Sequence, residues 1–200
     1  MQFTTAALAF AGFMAVALAA VVQEAADLPH PLVPFQYKGT LGGHDVQLNG
    51  TVEEIYAQMK VLHPEFDAEH AIQNGTNASA ITPQNVNSKS NYICKPVPGH
   101  KDWDYANGDR IAEGIRYLKG IDICDVGPQT CVRISCSWSA GIFLCNDNDH
   151  AIFPKCNYIA SYAQDLIGKC SVFPVFNGFY TCGQKFDTDR YNVIVRSTSC

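Results

Sequence analysis

The sequence predicts an α+β domain in its C-terminal half, with two helices packed on one four-stranded, mostly antiparallel sheet, an α/β sandwich stapled by disulfides. Three observations carry this reading. All nine cysteines of the 200-residue chain lie between Cys94 and Cys200, about 8 % of that half. Two stretches of helical periodicity alternate there with two pairs of strand-like runs. A domain of about 110 residues buries only a modest core, so cross-links supply much of its stability.

The chain opens on an apolar run. Residues 1–19 contain no Lys or Arg and end in Ala17-Leu18-Ala19, the small-x-small pattern of a signal-peptide cleavage site. The alternative, a membrane anchor, stands at the lower limit of length for a bilayer span. No later run approaches that length, so stable membrane insertion is not expected of the mature chain. Sequons at Asn49, Asn74 and Asn77 are glycosylation acceptors in a chain that enters the secretory pathway. In an exported, extracellular chain the cysteines Cys94, Cys124, Cys131, Cys136, Cys145, Cys156, Cys170, Cys182 and Cys200 form a disulfide framework. No C-x-x-C occurs and the spacing fits no zinc knuckle, so neither metal nor cofactor is expected. Nine is odd, and one cysteine is left unpaired; Cys94, at the domain edge, and Cys200, at the terminus, are the candidates. The connectivity stays open.

Charge divides the chain as well. Residues 20–90 hold eight acids and three bases, net −5, whereas 91–200 hold eleven of each. We therefore read residues 20–90 as an acidic, Cys-free leader or pro-segment and residues 91–200 as the Cys-rich domain. The bases are scattered singly, without the basic face of a nucleic-acid binder or the polybasic patch that attracts anionic lipid.

Within the leader, Thr51 followed by Glu54 makes a capping box, and Val52, Ile55, Met59 and Leu62 fall at helical spacing until Pro64 ends the helix. DAEHAIQ at 67–73 adds a turn or two of helix before the sequon-bearing, turn-forming linker that continues through TPQNVNSKSN. In the Cys-rich domain, Asp102 or Asp104 can cap a helix carrying Ile111, Ile115 and Leu118, with Gly120 suited to a left-handed residue after its last turn. Gly114 in its middle costs about 1 kcal/mol of helix propensity, a cost that close approach to a sheet would offset. TCVRISCS alternates as a half-buried strand, and a turn at Ser139-Ala140-Gly141 leads to IFLCN, completing a hairpin. A second helix starts near Asn157, with Ile159, Ala163, Leu166, Ile167 and Cys170 on one face and Gly168 near its end. SVFPVF with FYTCG, broken at Asn177-Gly178, and RYNVIVRS complete the strands, with Asp187-Thr188-Asp189-Arg190 as a turn.

From Trp103 to Cys200 the chain resembles a group of fungal small secreted Cys-rich proteins. AEGIRYL (112–118), GPQTCVRISCSWSAGIFLCNDN (127–148), IASYAQDLIGKC (159–170) and YNVIV before the terminal Cys carry the resemblance, and Cys-x4-Cys followed by Cys-Asn-Asp-Asn is its most specific part. The arrangement is similar, more distantly, to the killer-toxin-like fold of smut-fungus viral toxins and secreted fungal effectors. The resemblance covers about half of the chain and implies an extracellular α/β sandwich that acts by binding a host or competitor, with no catalytic motif. This chain departs from the group in its acidic leader and in Cys156 and Cys182.

Candidate chemistry is sparse. Asp147-Asn148-Asp149-His150 is the densest set of oxygen and imidazole groups, but it lacks the spaced ligand ladder of a calcium loop. His100, Glu113 and Arg116 could form the acid–base set of a small ribonuclease only if the fold joined them. The domain holds just His100 and His150 as bases for a Ser or Cys nucleophile and has no G-x-S-x-G. The expectation is therefore a non-enzymatic, effector- or toxin-like protein that binds a protein or a cell-surface or cell-wall target. Its loops at 137–141, 146–155 and 176–180 would display Trp138, Asp147, Asn148, Asp149 and His150. The alternatives are a cell-wall or carbohydrate-binding protein, favoured if Trp138 and the aromatics at 176–180 are exposed together, and a small extracellular hydrolase or nuclease.

Overall fold

A computed structural model of the chain describes residues 27–78, 88–174 and 178–200, the side chains of 74–78 excepted. In chain order the elements are β1 (Leu32–Val33), β2 (Gln36–Leu41), β3 (His44–Asn49), α1 (Val52–Leu62), α2 (Ala68–Ala78), β4 (Lys89–Cys94), β5 (Ala106–Asn107), α3 (Gly108–Leu118), β6 (Cys131–Ser137), β7 (Ala140–Asn146), α4 (Cys156–Cys170), β8 (Ser171–Val172), β9 (Tyr180–Thr181), β10 (Gly183–Asp187) and β11 (Tyr191–Ser197). The run at 1–19 lies outside the described residues.

The fold is mixed α/β and disulfide-stapled, but larger than two helices on four strands. Among the described residues there are four helices and a six-stranded sheet ordered β1-β6-β7-β11-β10-β4, beside a β2–β3 hairpin and a small β5-β9-β8 sheet. Four pairings of the large sheet are antiparallel, and β1 joins β6 in parallel. Of the SVFPVF and FYTCG runs, Ser171–Val172 and Tyr180–Thr181 form β8 and β9 of the small sheet, and the unexpected strand β10 takes the place beside β11. Lys89, Ser90 and Asn91, assigned to the linker, instead enter edge strand β4, because residues 89–94 find a partner in β10.

One face of the sheet carries the main core. Val132, Ile134, Ile142, Leu144, Val193 and Val195 meet Ile111, Ile115 and Leu118 of α3 and Ile159, Ala163 and Leu166 of α4. Segment 27–78 belongs to that same core: Phe35, Tyr37, Leu41 and Leu48 of the hairpin region and Val52, Ile55 and Met59 of α1 are all buried in it. Glu53 of α1 ties the two halves directly, accepting hydrogen bonds from Ser135 Oγ (2.6 Å) and Cys136 N (3.0 Å). The change of composition near residue 90 therefore does not mark a boundary in the packing. The predicted capping box forms, with Thr51 N donating to Glu54 Oε2 at 2.7 Å, whereas Leu62 is exposed and Tyr56 is buried in its stead.

The opposite face is covered too. Leu28, Val97, Trp103, Phe143 and Ile194 form a second core with Cys131, Cys145 and Cys182, so β6 is not the half-buried strand its alternation suggests. A bulge between Arg133 and Ser135 shifts its register against β7. The turn between the two strands is Trp138-Ser139, both left-handed (φ 49° and 60°), one residue earlier than expected. Helix α3 is capped by Asn107, whose side chain accepts from Arg110 N at 3.1 Å; Asp104 is engaged instead by Lys95 Nζ at 2.6 Å. Gly120 is not left-handed, and α4 continues past Gly168 to Cys170.

Four disulfides form: Cys94–Cys170, Cys124–Cys156, Cys131–Cys145 and Cys136–Cys200. The odd cysteine is neither Cys94 nor Cys200 but Cys182, fully buried in the second core. Helix α4 begins and ends in a bridged cysteine, so both of its termini are fixed.

Two outcomes follow from this packing. A Cβ on Gly114 would lie 2.1 Å from Ser135 Oγ and 3.0 Å from Ser135 Cβ, so Gly114→Ala is expected to destabilise by about 1–3 kcal/mol in urea unfolding, although alanine raises helix propensity by about 1 kcal/mol. Burial pushes the Cys182 thiol up to about 11, so a disulfide-exchange reagent at pH 8 should find one reactive thiol per chain after denaturation and almost none before it.

Candidate functional site

The loop that follows β7 is built on two asparagines. Asn146 donates through Nδ2 to Gly127 O (2.9 Å) and His150 O (2.8 Å), and its Oδ1 accepts from Asn148 N at 2.9 Å. Asn148 Nδ2 in turn donates to Asp189 O (2.8 Å) and Arg190 O (3.0 Å), fastening the loop to the β10–β11 turn. Asp147 accepts from Asn192 Nδ2 at 3.1 Å and lies 2.7 Å from His30 Nε2. Asp147 and Asn148 therefore hold the loop in shape. Asp149 and His150 project into solvent and pair with each other at 3.0 Å; the His150 hydrogen bond holds the Asp149 carboxyl below the usual range. The far end of the loop is pinned by the Cys124–Cys156 bridge and by the Val126–Ile152 backbone bridge.

Between this loop, the start of α4 and the β10–β11 turn lies a cleft of about 340 Å³, lined among others by Ser88, Phe153, Pro154, Tyr158, Asp189 and Tyr191. Phe153 stands at its rim, 62 % exposed. Behind it, Tyr162 OH donates to Asp187 Oδ2, Tyr158 OH lies 3.3 Å from the same oxygen, and Asp189 N donates to Asp187 Oδ1 at 2.7 Å. Lys89 Nζ pairs with Asp165 at 2.8 Å and sits 4.8 Å from the Tyr162 ring centre. The buried Asp187 carboxylate is thus occupied by donors of the protein itself, and the exposed residues of the lining include Phe153 and Asp189. Such a lining suits a ligand with an apolar or flat body and a cationic or hydroxyl-bearing end.

The predicted site residues divide. Trp138 lies at the opposite end of β7 from Asp147–His150, 78 % exposed, with the Arg110 guanidinium 5.4 Å from its ring centre. Phe143 is core, whereas Phe173 is 77 % exposed and 6.2 Å from the half-buried Phe179; Phe176 lies outside the described residues. His100 stacks on Trp103, Glu113 pairs with Arg110 at 3.1 Å, and Arg116 pairs with Glu69 at 2.6 Å, so the fold does not join the ribonuclease-like set. Asn49 is exposed at the end of β3. Asn74 and Asn77 fall within α2 rather than a loop, and their side chains lie outside the described residues. Sequence reasoning missed Tyr158 and Tyr191, although Tyr158 and Tyr162, one helical turn apart, are the available signal of an aromatic face. The metal-capable group among the described residues lies elsewhere, at His44, His63 and Glu65.

No protein-family model matches the chain, and no curated protein or solved structure matches it either. Among the described residues no helix is long and apolar enough to cross a membrane. The four disulfides are compatible with an extracellular protein.

The phenols around the cleft give stability a pH dependence of known sign. Burial raises Tyr162 and Tyr191 well above the ordinary range, and burial likewise pushes Tyr37, in strand β2 of the N-terminal hairpin, up to about 12. Below about pH 10 these groups are protonated whether the chain is folded or not. Above it only the unfolded chain releases the protons, so the folded state loses ground as pH rises, through about 12 for Tyr37. Each such tyrosine should remove about 1.4 kcal/mol per pH unit in that window, measurable by urea unfolding at pH 9, 10 and 11.

Proposed function

We propose that the protein is a secreted, effector- or toxin-like protein that acts by binding a protein or cell-surface target, with the cleft beside the 146–155 loop as its recognition surface. The observation that carries the proposal is the pairing of Phe153, turned to solvent at the rim, with Asp189, Tyr158 and Tyr191 around a cleft fixed by the Cys124–Cys156 bridge. An exposed aromatic beside a partly enclosed pocket is the form that energetic anchors of interfaces take, and a loop fixed in advance loses little freedom on binding. The apolar run at 1–19, the four disulfides and the resemblance to fungal small secreted Cys-rich proteins support export.

A second reading, cell-wall or carbohydrate binding, is favoured by a separate observation. Trp138 and Phe173 are both exposed near the start of α3: the Arg110 guanidinium lies 5.4 Å from the Trp138 ring centre, and Phe179, the neighbour of Phe173, lies against Gly108. Flat exposed rings suit the apolar faces of sugars.

Two double variants separate these readings. The disulfide-intact protein is measured against intact and protease-treated cell surfaces and against insoluble chitin, β-glucan and cellulose. Phe153→Ala with Asp189→Asn should lower protease-sensitive cell binding by about tenfold or more while the circular dichroism stays unchanged. Trp138→Ala with Phe173→Ala should leave that binding intact; if it instead abolishes retention on a polysaccharide, the second reading holds. Binding untouched by either pair sinks both.

A further inference from the structure

We infer that His44, His63 and Glu65 form a binding site for a divalent transition metal, zinc being the ion the donor set fits best. The three residues come from two turns that the fold presses together. At the β2–β3 turn, Gly42 and Gly43 both take positive φ (58° and 85°) and reverse the chain in two residues, so that β3 begins at His44. At the end of α1, His63 leaves the helix with φ −132° and ψ 86°, its amide still bonded to Met59 O at 2.8 Å, and Pro64 prevents the helix from continuing. Phe66 N then donates to His63 O at 2.8 Å, closing a tight turn that carries Glu65. The buried Phe66 ring fills the space under Gly42, where a Cβ would come within 2.6 Å of it. The two turns are thereby locked to each other, and the three side chains stand over the contact.

The donors converge without bonding one another. His44 Nε2 and His63 Nδ1 lie 3.7 and 3.6 Å from the same oxygen, Glu65 Oε1, and all three donor atoms fall within 4.8 Å of one another. Those separations are too long for hydrogen bonds. The two nitrogen–oxygen separations are a few tenths of an ångström wider than the roughly 3.4 Å that separates ligands around a tetrahedral zinc with bonds of about 2.0–2.1 Å. The imidazoles are stacked, with ring centres 3.6 Å apart and planes inclined by 22°. Coordination turns the rings so that each in-plane lone pair aims at the ion, and both side chains, about a third exposed, have room to do so. Two nitrogens and one carboxylate oxygen suit zinc or copper(II), whereas calcium and magnesium demand mostly oxygen ligands. Glu65 is 69 % exposed, so the fourth position faces solvent, open to water or to a donor from a partner.

The test is zinc titration by calorimetry of the full, disulfide-intact protein after chelator treatment, at pH 7.5. Wild type should bind one zinc per chain with saturation. His44→Gln and His63→Gln should each weaken binding by about a hundredfold or more, since losing a ligand exceeds the 10–100-fold typical of its supporting contacts. Glu65→Gln should weaken it less. The double variant His44→Gln with His63→Gln keeps the four other histidines, so its loss of binding assigns the site. A second readout guards against misfolding: saturating zinc should raise the wild-type melting temperature and leave that of the double variant, whose zinc-free melting curve should match wild type, unmoved. Absence of saturable binding in wild type overturns the proposal. So does a double variant that binds or is stabilised like wild type.

Discussion

Strand β7 has no residue open to water, and a strand buried on both sides needs apolar cover above and below. The rest of the architecture follows from that requirement. Helices α3 and α4 cover one face, but α1 and the N-terminal hairpin extend the same core. The other face is closed by Trp103, Val97 and Leu28, with Trp103 Nε1 donating to Asp27 O at 3.0 Å. Both covers therefore recruit chain from before the first cysteine. Disulfides reinforce this arrangement at its margins: one crosses β6 and β7 directly, one ties β6 to the C-terminus, and two hold α4 at its ends.

The cleft inherits its rigidity from the same centre. Asn146 is the last residue of β7, and its amide organises the loop that borders the cleft. The polar groups behind the cleft are mutually satisfied, which suits a preformed surface. Recognition and scaffold are thus continuous: the residues that look most like ligands in the sequence, Asp147 and Asn148, are spent on shaping the loop that presents Phe153.

What could be read from the sequence was local. The capping box at Thr51, the apolar stripe of α3, the β6–β7 hairpin and the Cys-terminated α4 all announce themselves through spacing between near neighbours. The use of Gly114 as a point of close approach was legible for the same reason. What could not be read depended on partners far along the chain. Nothing near residues 89–94 signals that β10 will pair with them. The acidic composition of 20–90 conceals that Phe35, Tyr37 and Leu48 fill the shared core. Cys182 escaped assignment because pairing depends on which sulfurs the finished fold brings within reach. The cleft was invisible in the same way, since Tyr158, Asp187 and Tyr191 meet only after α4 docks beside the β10–β11 turn, although the adjoining loop was singled out.

The distribution of the bridges has one more consequence. Each joins cysteines at or beyond position 94, so the amino-terminal portion is attached to the remainder by non-covalent packing and by the backbone alone. A proteolytic cut between 78 and 88 would yield a two-chain complex, its pieces held by the parallel β1–β6 ladder, the Glu53 contacts and the common interior. Denaturant would part those pieces with no reductant, and the smaller fragment could be exchanged for a synthetic peptide.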